Sequence, residues 1–571
     1  MTAPAALGGA MRNPSEIAAD LRRDFQLAFQ TEFERAPASD PVLAVLFHAL
    51  AVQIGRVYQE AEDVFPWQVL DDLMAGLAMP RPSASPAQTV VAFSNLDRRE
   101  RISSELSLQG LSKMGEHFTF VPDTSIELAP TTLRFAGVAE SGRLHVIPGA
   151  SLPGGLPWPP NAVPCSAAGG PPAILLAFEC DAGHLSGLGL HLKTSAIGSQ
   201  IIGAIVRSPW IVLDQDGVSR DKGTLRARVG RGGVNHLEWF DERATVTDVD
   251  ERSDMHRAAD VVSGPYGEQV WVFPPIPAER RWRGAPPARF LDALRALTPD
   301  AAASWLQREL VWVYVPLPAG TTTIVNGLQG VTLNAVTASN IEIFTEQVNF
   351  ARTGQVVSMR PESDGKRHVM GILSIIGESG SRYVPLADLD APDTAGRFRV
   401  RDDRIELHPA KRTGGRFDSY TVLRLLLSDG KRGNDLEPGA VRRLQARLGN
   451  VTAQVSNITT SRGGAAPPEY GGARLRFAEL LRTRERVVTA PDFEITARAF
   501  DPRIESVSVS SVSEVAGGAL QAVDLVRVTV PRDQLPDPDA DVIRIRNGLE
   551  RQLEKRSVLG RRARVTVELR G

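Results

Sequence analysis

Apolar residues in the first eighty positions recur at helical spacing, and beyond them at strand spacing. Ile17, Leu21, Phe25, Phe29 and Phe33 stand one turn apart behind Asn13-Pro14-Ser15-Glu16. That tetrad offers an N-cap, a proline in the first turn and a carboxylate near the positive end of the helix dipole. Asp40-Pro41 opens a second helix in the same way. Leu43, Leu46, Leu50, Ile54, Val57 and Ala61 follow at spacings of three and four, a seam suited to another helix. Phe65-Pro66 ends it, and residues 67–79 predict a third helix stopped by Pro80-Arg81-Pro82. Such helices either dock on this chain's own sheets or bundle with another chain, and the pattern favours neither.

After Ser83 the chain turns to short β-type runs: 89–93, 118–121, 143–147, 173–178, 189–193, 210–213, 310–317, 333–336, 368–376 and 420–427. Residues 148–172 carry eight prolines and five glycines and are expected to be loop or linker, because proline withholds ladder donors. A second Pro-rich break, 273–287, precedes a short helix near 289–297. The C-terminal pattern is helix 492–500, strand 505–512, strand 524–530 (Val526, Val528, Val530), helix 541–556 (Ile545, Leu549, Leu553) and strand 564–569 (Val565, Val567, Leu569).

These signals predict an α+β multidomain chain: an N-terminal helical bundle segment, β-rich central domains and a C-terminal αββαβ split βαβ domain. The expected segments are 1–85 helical, 86–150 β-rich, 151–285 Pro-rich linker and inserted β domain, 286–480 central β-rich domain, and 481–571 C-terminal α/β domain. At 571 residues the chain exceeds one core.

Charge narrows the partners. Lys plus Arg number 65 against 67 Asp plus Glu, so no global field attracts nucleic acid or membrane. Residues 541–571 hold nine basic side chains against four acidic, a pattern that more often marks a solvated helix and strand than an acidic partner's site. Cys165 and Cys180 make no disulfide framework. The N-terminus lacks the pattern of a signal peptide, and no run of 18 apolar residues occurs, so folding in the cytoplasm without membrane insertion is expected.

The sequence offers little chemistry. Among nine histidines, His184 and His191 come nearest to a metal pair, seven apart, and a metal site there is disfavoured. No P-loop occurs. Gly230-Arg231-Gly232-Gly233 precedes no helix, and Gly377-Glu378-Ser379-Gly380-Ser381 lacks the nucleophile-elbow spacing. The pairs Asp71/Asp72, Asp402/Asp403 and Asp537/Asp539 fit a helix face or turns better than a glycosidase cleft. Aromatics are 6% of the chain, thin for a stacking surface. Neither catalytic residues nor a metal or cofactor site is expected.

Several motifs together carry a family resemblance. The helical start, Phe65-Pro66, Pro80-x-Pro82-Ser83 and a strand at 90–93 resemble the TssF family of type VI secretion baseplates. Leu333-Asn334-Ala335-Val336 with Asn340 resembles that family's central strand, and Tyr383-Val384-Pro385 its later partner. Farther on, the chain resembles baseplate J-like wedge proteins of contractile tails. The matching segments are Ser428-Asp429-Gly430-x-x-Gly433-Asn434 with Gly439, Gly463-Gly464 with Glu469, and the run from Leu481 through Arg486, Thr489, Asp492, Phe493 and Glu494. Physically, Thr489 before Pro491, with Asp492 and Glu494 in the first turn, is a helix start.

The resemblance implies a non-enzymatic wedge subunit of a contractile injection system, of the type VI or phage tail-like kind, with the C-terminal motifs favouring the latter. It implies that the N-terminal helices, through Phe25, Phe29, Phe33, Leu46, Leu50, Ile54 and Val57, bundle with a second wedge protein and with further copies of this chain. The C-terminal unit would then close a six-fold ring around the spike hub. Sheath or sheath-adaptor proteins would lie beside it, and a Pro-rich hinge such as 273–287 would serve the rearrangement that couples to sheath contraction. Assembly in the cytoplasm, and for a tail-like particle release from the cell, is implied. A tail-associated polysaccharide-binding or degrading β-protein is the main rival, and a binder of acidic ligands through the basic tail the second.

Overall fold

The computed structural model describes residues 14–33, 41–53, 84–180, 185–194, 199–213, 224–229, 234–239, 265–274, 283–318, 321, 327–350, 356–358, 367–386, 395–401, 404–410, 418–445, 448–467, 478, 486–501, 503–516, 519–532, 542, 545–546, 548–550, 552–553, 556 and 561–570. A six-stranded sheet runs in the order Val441–Leu444, Leu108–Leu111, His117–Pro122, Ala335–Ser339, Gln88–Ser94, Gln454–Asn457. It curls until its two end strands lie side by side. Gly439 N–H donates to the Asn457 carbonyl across that seam (2.8 Å). Phe93, Leu108, Phe118, Phe120, Val336 and Val455 lie in its core.

Apart from the short pair Glu100–Ile102 with Ile126–Leu128, the remaining described β-structure of residues 84–467 is nested inside this barrel-like sheet as two excursions. The first, 131–333, forms a twelve-stranded sheet with Trp210, Trp271, Phe178 and helix Ser199–Arg207 on one face. Phe135, Trp158, Trp305, Trp312 and helix Ala288–Leu297 cover the other. The segment breaks expected at 150/151 and 285/286 fall inside this sheet. Thr131–Glu140 pairs with Ala173–Cys180, and Gly189–Thr194 pairs with Leu328–Leu333.

Residues 148–172 are likewise not a linker. Leu152, Trp158, Cys165 and Ala168 are buried, and Val163–Pro164 pairs with Arg143–Val146. Proline removes a donor but leaves its carbonyl and its neighbours' side chains free to pack. Of the second Pro-rich break, 275–282 lie outside the described residues, while Phe273, Pro286 and Pro287 are buried.

The second excursion, 342–428, stacks two sheets. One has Glu342–Asn349, Tyr420–Ser428 and His368–Gly377; the other has Val356–Ser358, Arg404–His408, Arg397–Arg401 and Val384–Pro385. Val348, Ile375, Tyr383, Ile405 and Leu425 fill the space between them. Val384–Pro385 therefore pairs with Arg397–Arg401, in parallel, and is not a partner of the central strand.

At the C-terminus, helix Ala490–Phe500 precedes strands Ser506–Ala516 and Ala519–Pro531, helical residues between 542 and 556, and strand Arg561–Arg570. One face of the sheet order 506–516, 519–531, 561–570 is covered by Phe493, Ala497, Ile545, Leu549 and Leu553. Apolar alternation explains this: Val526, Val528 and Val530 point one way while Arg527 and Thr529 point the other.

At the N-terminus, helix Pro14–Phe33 packs antiparallel on helical residues 41–53. Ala18 and Ala51 are buried against each other, and Phe25 stacks on Phe29 and Phe47 at 5.8 and 5.5 Å between ring centroids. The third expected helix, 67–79, lies outside the described residues.

Candidate functional site

The motif residues do not converge on a reactive cleft. Asn334, Asn340 and the glycine-rich motif lie at the joints where the chain enters and leaves the barrel-like sheet, and the C-terminal motif lies at the start of helix Ala490–Phe500. Leu333-Asn334-Ala335-Val336 is not one strand: Leu328–Leu333 belongs to the twelve-stranded sheet and Ala335–Ser339 to the six-stranded one. Asn334 between them adopts φ +50°, the left-handed region that asparagine tolerates better than most residues. Its buried amide behaves as a strand of its own. Ala129 N–H donates to Oδ1 at 3.0 Å, and Nδ2 donates to the Ala129 carbonyl at 2.9 Å. Its carbonyl accepts from Phe93 N–H at 3.0 Å. A single side chain thus clamps the return of the first excursion to its departure point.

The second joint is built the same way. Asn340 Nδ2 donates to the Thr119 carbonyl and to Asp429 Oδ2 (3.0 and 3.1 Å). Its Oδ1 accepts from Asp429 N–H at 2.9 Å and from Ser428 Oγ at 3.3 Å. Gly433 passes so close to Asn340 that a methyl there would meet its Oδ1 at 2.7 Å. Gly430 and Gly439 take positive φ in this turn. Asn434 and Gly464 exchange two bonds of 2.8 and 2.9 Å. The glycine-rich motif is therefore a backbone joint.

Two more asparagines do comparable work. Asn457 Oδ1 accepts from Val441 N–H at 2.8 Å and closes the seam. Asn450 Oδ1 accepts from Asp97 and Arg98 N–H, and its Nδ2 donates to Glu100. Burial would raise the Glu100 carboxyl, but donors from Gly449 and Asn450, with Arg98 nearby, outweigh it and hold the group below its ordinary value. Neither asparagine was singled out in the sequence. The available signal was asparagine beside glycine (Asn450) or serine (Asn457) next to a β-type run.

At the C-terminal motif, Asp492 does the capping. Its Oδ2 accepts from Thr489 N–H at 2.8 Å and Val488 N–H at 3.2 Å. Phe493 is buried in the C-terminal core, Glu494 pairs with Arg498 one turn on, and Arg486 is exposed. Leu481, Arg482 and Glu469 lie outside the described residues.

The helical hairpin presents the apolar surface. Residues 41–53 contain no Lys, Arg, Asp or Glu. One side of that helix is taken by the first helix, and on the rest Val42, Val45, Leu46 and Leu50 are 64%, 69%, 57% and 49% exposed, with Leu27 of the first helix 58% exposed. A helix apolar all round expects burial on more than one side. Of the seven expected interface residues, Phe25 packs on Phe47 inside the hairpin with Phe29 beside it, while Leu46 and Leu50 are exposed. Phe33 ends the first helix; Ile54 and Val57 lie outside the described residues. Val42 and Val45, not part of the heptad reading, are exposed on the same charge-free helix.

His191 sits in Gly189–Thr194 with its Nε2 3.3 Å from Gln269 Oε1 and its Nδ1 unbonded. His184 lies outside the described residues, and among those described no group of three metal-ligating side chains occurs. No described helix is long and apolar enough to cross a membrane. Burial depresses the His191 pKa from 6.5 to about 4, against a raising bond to Gln269 and with Lys193 adding to the depression. The folded state therefore binds this proton less readily than the unfolded chain. Its contribution is complete above pH 6.5 and is lost as pH falls toward 4, with about 2 kcal/mol gone by pH 5. Urea titrations at pH 7 and pH 5 should show that loss in the wild type, and His191→Gln should remove about that much of the pH difference.

No family model matches the sequence, and no curated protein does. Among solved structures, a chain of the type VI secretion system TssK-TssF-TssG baseplate subcomplex is similar, with a TM-score of 0.47 and 15% identity over 92% of this chain and 96% of that one. A chain of a type VI secretion system baseplate complex gives 0.41 and 14% over 98% and 96%. A chain of the anti-feeding prophage baseplate gives 0.28 and 11% over 96% and 70%.

Proposed function

We propose that this chain is a structural, non-enzymatic wedge subunit in the baseplate of a contractile injection system. The observation that carries the reading is the charge-free helix 41–53, packed on one side and with Val45, Leu46 and Leu50 exposed on the other. Such a face costs free energy in water and is offset by a partner's helix laid along it. The TssF-like and baseplate J-like motifs supply the identity of the assembly, and their placement at joints suits a rigid scaffold that must hold neighbouring chains at fixed angles.

In this reading the hairpin bundles with a second wedge protein and further copies of the chain. The C-terminal domain reaches the next wedge in a six-fold ring around the spike hub, next to sheath or sheath-adaptor proteins. The joints at Asn334 and Asn340 keep the excursions in register while interfaces rearrange on firing. No nucleic acid or membrane enters the scheme, and no cofactor is needed. Co-expression with a candidate wedge protein, copurification and electron microscopy test it. A stoichiometric complex with the hairpin at its centre is expected; a chain that copurifies with none of its baseplate neighbours overturns it.

A further inference from the structure

The two excursions are attached to the barrel-like sheet in different ways. The first shares its core: Val234, Val270 and Val272 pack among Phe93, Phe120 and Val336. The second, 342–428, places no side chain in that core among the described residues. Its apolar contact with the barrel is a separate small cluster, in which Val121 meets Ile341, Met370, Leu373 and Leu426.

Charge bridges the rest of the contact. The Asp429 side chain, where the excursion returns, is 13% exposed and lies 3.9 Å from the guanidinium of Arg367 and 3.9 Å from that of Arg432. Arg367 pairs with Glu342 at 2.9 Å, where strands of the excursion begin. Arg432 pairs with Glu116 at 2.8 Å, on the barrel hairpin between Leu108–Leu111 and His117–Pro122. Glu342, Arg367, Asp429, Arg432 and Glu116 thus form one chain of alternating sign that runs from the excursion into the barrel. Arg424, 3.9 Å from Glu105, adds a second bridge between the two. Isolated surface pairs contribute little, but a network that shares a largely buried carboxylate contributes more.

We infer that the second excursion is an arm whose angle to the barrel is set by this ionic latch, with Asn340 as its pivot. Units that meet through a small contact move relative to one another unless something else fixes them. Hinges are the few residues at element ends that absorb such motion. Here Asn340 binds both crossings of the chain. Its Nδ2 donates to the barrel's Thr119 carbonyl and to Asp429, while its Oδ1 accepts from Ser428 Oγ and Asp429 N–H. That hub keeps the two crossings together at whatever angle the arm takes. The arginines reach from the joint to Glu342 on one side and Glu116 on the other, so they fix the angle and not the attachment. The latch stands on the joint itself and does not depend on what the hairpin binds.

Spin labels on Gln347→Cys, exposed on the arm, and Val451→Cys, exposed on the barrel, read the angle in the full chain. Cys165 and Cys180 are buried and do not compete for the label. Asp429→Asn removes the shared charge but keeps an oxygen for Asn340 Nδ2. It should broaden the interspin distance distribution at least ~2-fold with unchanged far-ultraviolet circular dichroism. Arg432→Gln, which leaves Asn340 and Asp429 in place, should broaden it in the same direction. Lys113→Gln is the control: it breaks the Lys113–Glu437 pair (2.6 Å), which lies on the same hairpin as Glu116 but ties the barrel only to itself. A wild-type width in Arg432→Gln or in folded Asp429→Asn would overturn the latch, as would equal broadening by Lys113→Gln.

Discussion

Replacing Asn334 with alanine should lower the free energy of unfolding by about 3 kcal/mol, and replacing it with glycine by about 2 kcal/mol. Both variants strand the Ala129 N–H, a buried backbone donor held by Asn334 Oδ1 at 3.0 Å, while the Ala129 carbonyl keeps the Thr131 N–H at 2.7 Å. Leaving such a donor unpaired costs roughly 1–3 kcal/mol. Alanine adds about 1 kcal/mol more for holding φ +50°, which glycine takes freely. The order matters more than the size, because glycine is ordinarily the worse replacement within a strand. A urea series on wild type, Asn334→Gly and Asn334→Ala decides it. If alanine is the milder change, the left-handed turn is not what Asn334 is there for.

Introducing Leu46→Asp with Leu50→Asp should weaken capture of the wedge partner at least ~100-fold while leaving the lone chain's melting unchanged or slightly higher. Each leucine, 57% and 49% exposed in the lone chain, would become buried in the complex. Burying such a side chain is worth roughly 1.5–3 kcal/mol when complete, and a carboxylate in its place must be desolvated or left out. A loss of about 3 kcal/mol is a factor of more than a hundred in affinity. Phe25→Ala makes the contrasting control. It opens the hairpin's own stack with Phe29 and Phe47, so it should destabilise the lone chain as well. Quantitative copurification and melting of both variants separate the two effects.

Individual elements were legible in the sequence wherever one short-range rule decided them. The β-type run 89–93 was bounded by Pro86 and Asp97; helix 490–500 was announced by Thr489, Pro491 and Asp492; the alternation Val526, Val528, Val530 named its buried face. Nesting was not legible, because Val91 pairs with Val336 on one side and Asn457 on the other, contacts that no local window contains. The same limit made Leu333-Asn334-Ala335-Val336 read as one strand. Its apolar flanks continue through the asparagine, while its φ is set by Ala129, some two hundred positions away. Proline counting misjudged 148–172, since Leu152 and Trp158 are buried there and the carbonyl of Arg134 accepts from Trp158 Nε1 at 2.8 Å.

Aromatic scarcity was also a weaker guide than it looked. It argued against a stacking surface, and many of the aromatics, Phe135, Trp158, Trp305 and Trp312 among them, line one core. The apolar spacing gave one role to Leu46 and Leu50, which are exposed, and to Phe25, which packs on Phe47 inside the hairpin. A periodic stripe says that a face is covered, and not by which chain.

Hydrogen exchange across residues 41–53, read in the isolated chain and again with the wedge partner bound, bears most directly on the assembly account. Fast exchange in the lone chain that slows at least ~100-fold on binding, centred on Leu46 and Leu50, is the expected outcome. Protection already complete in the solitary molecule, or unchanged when the partner arrives, would contradict it.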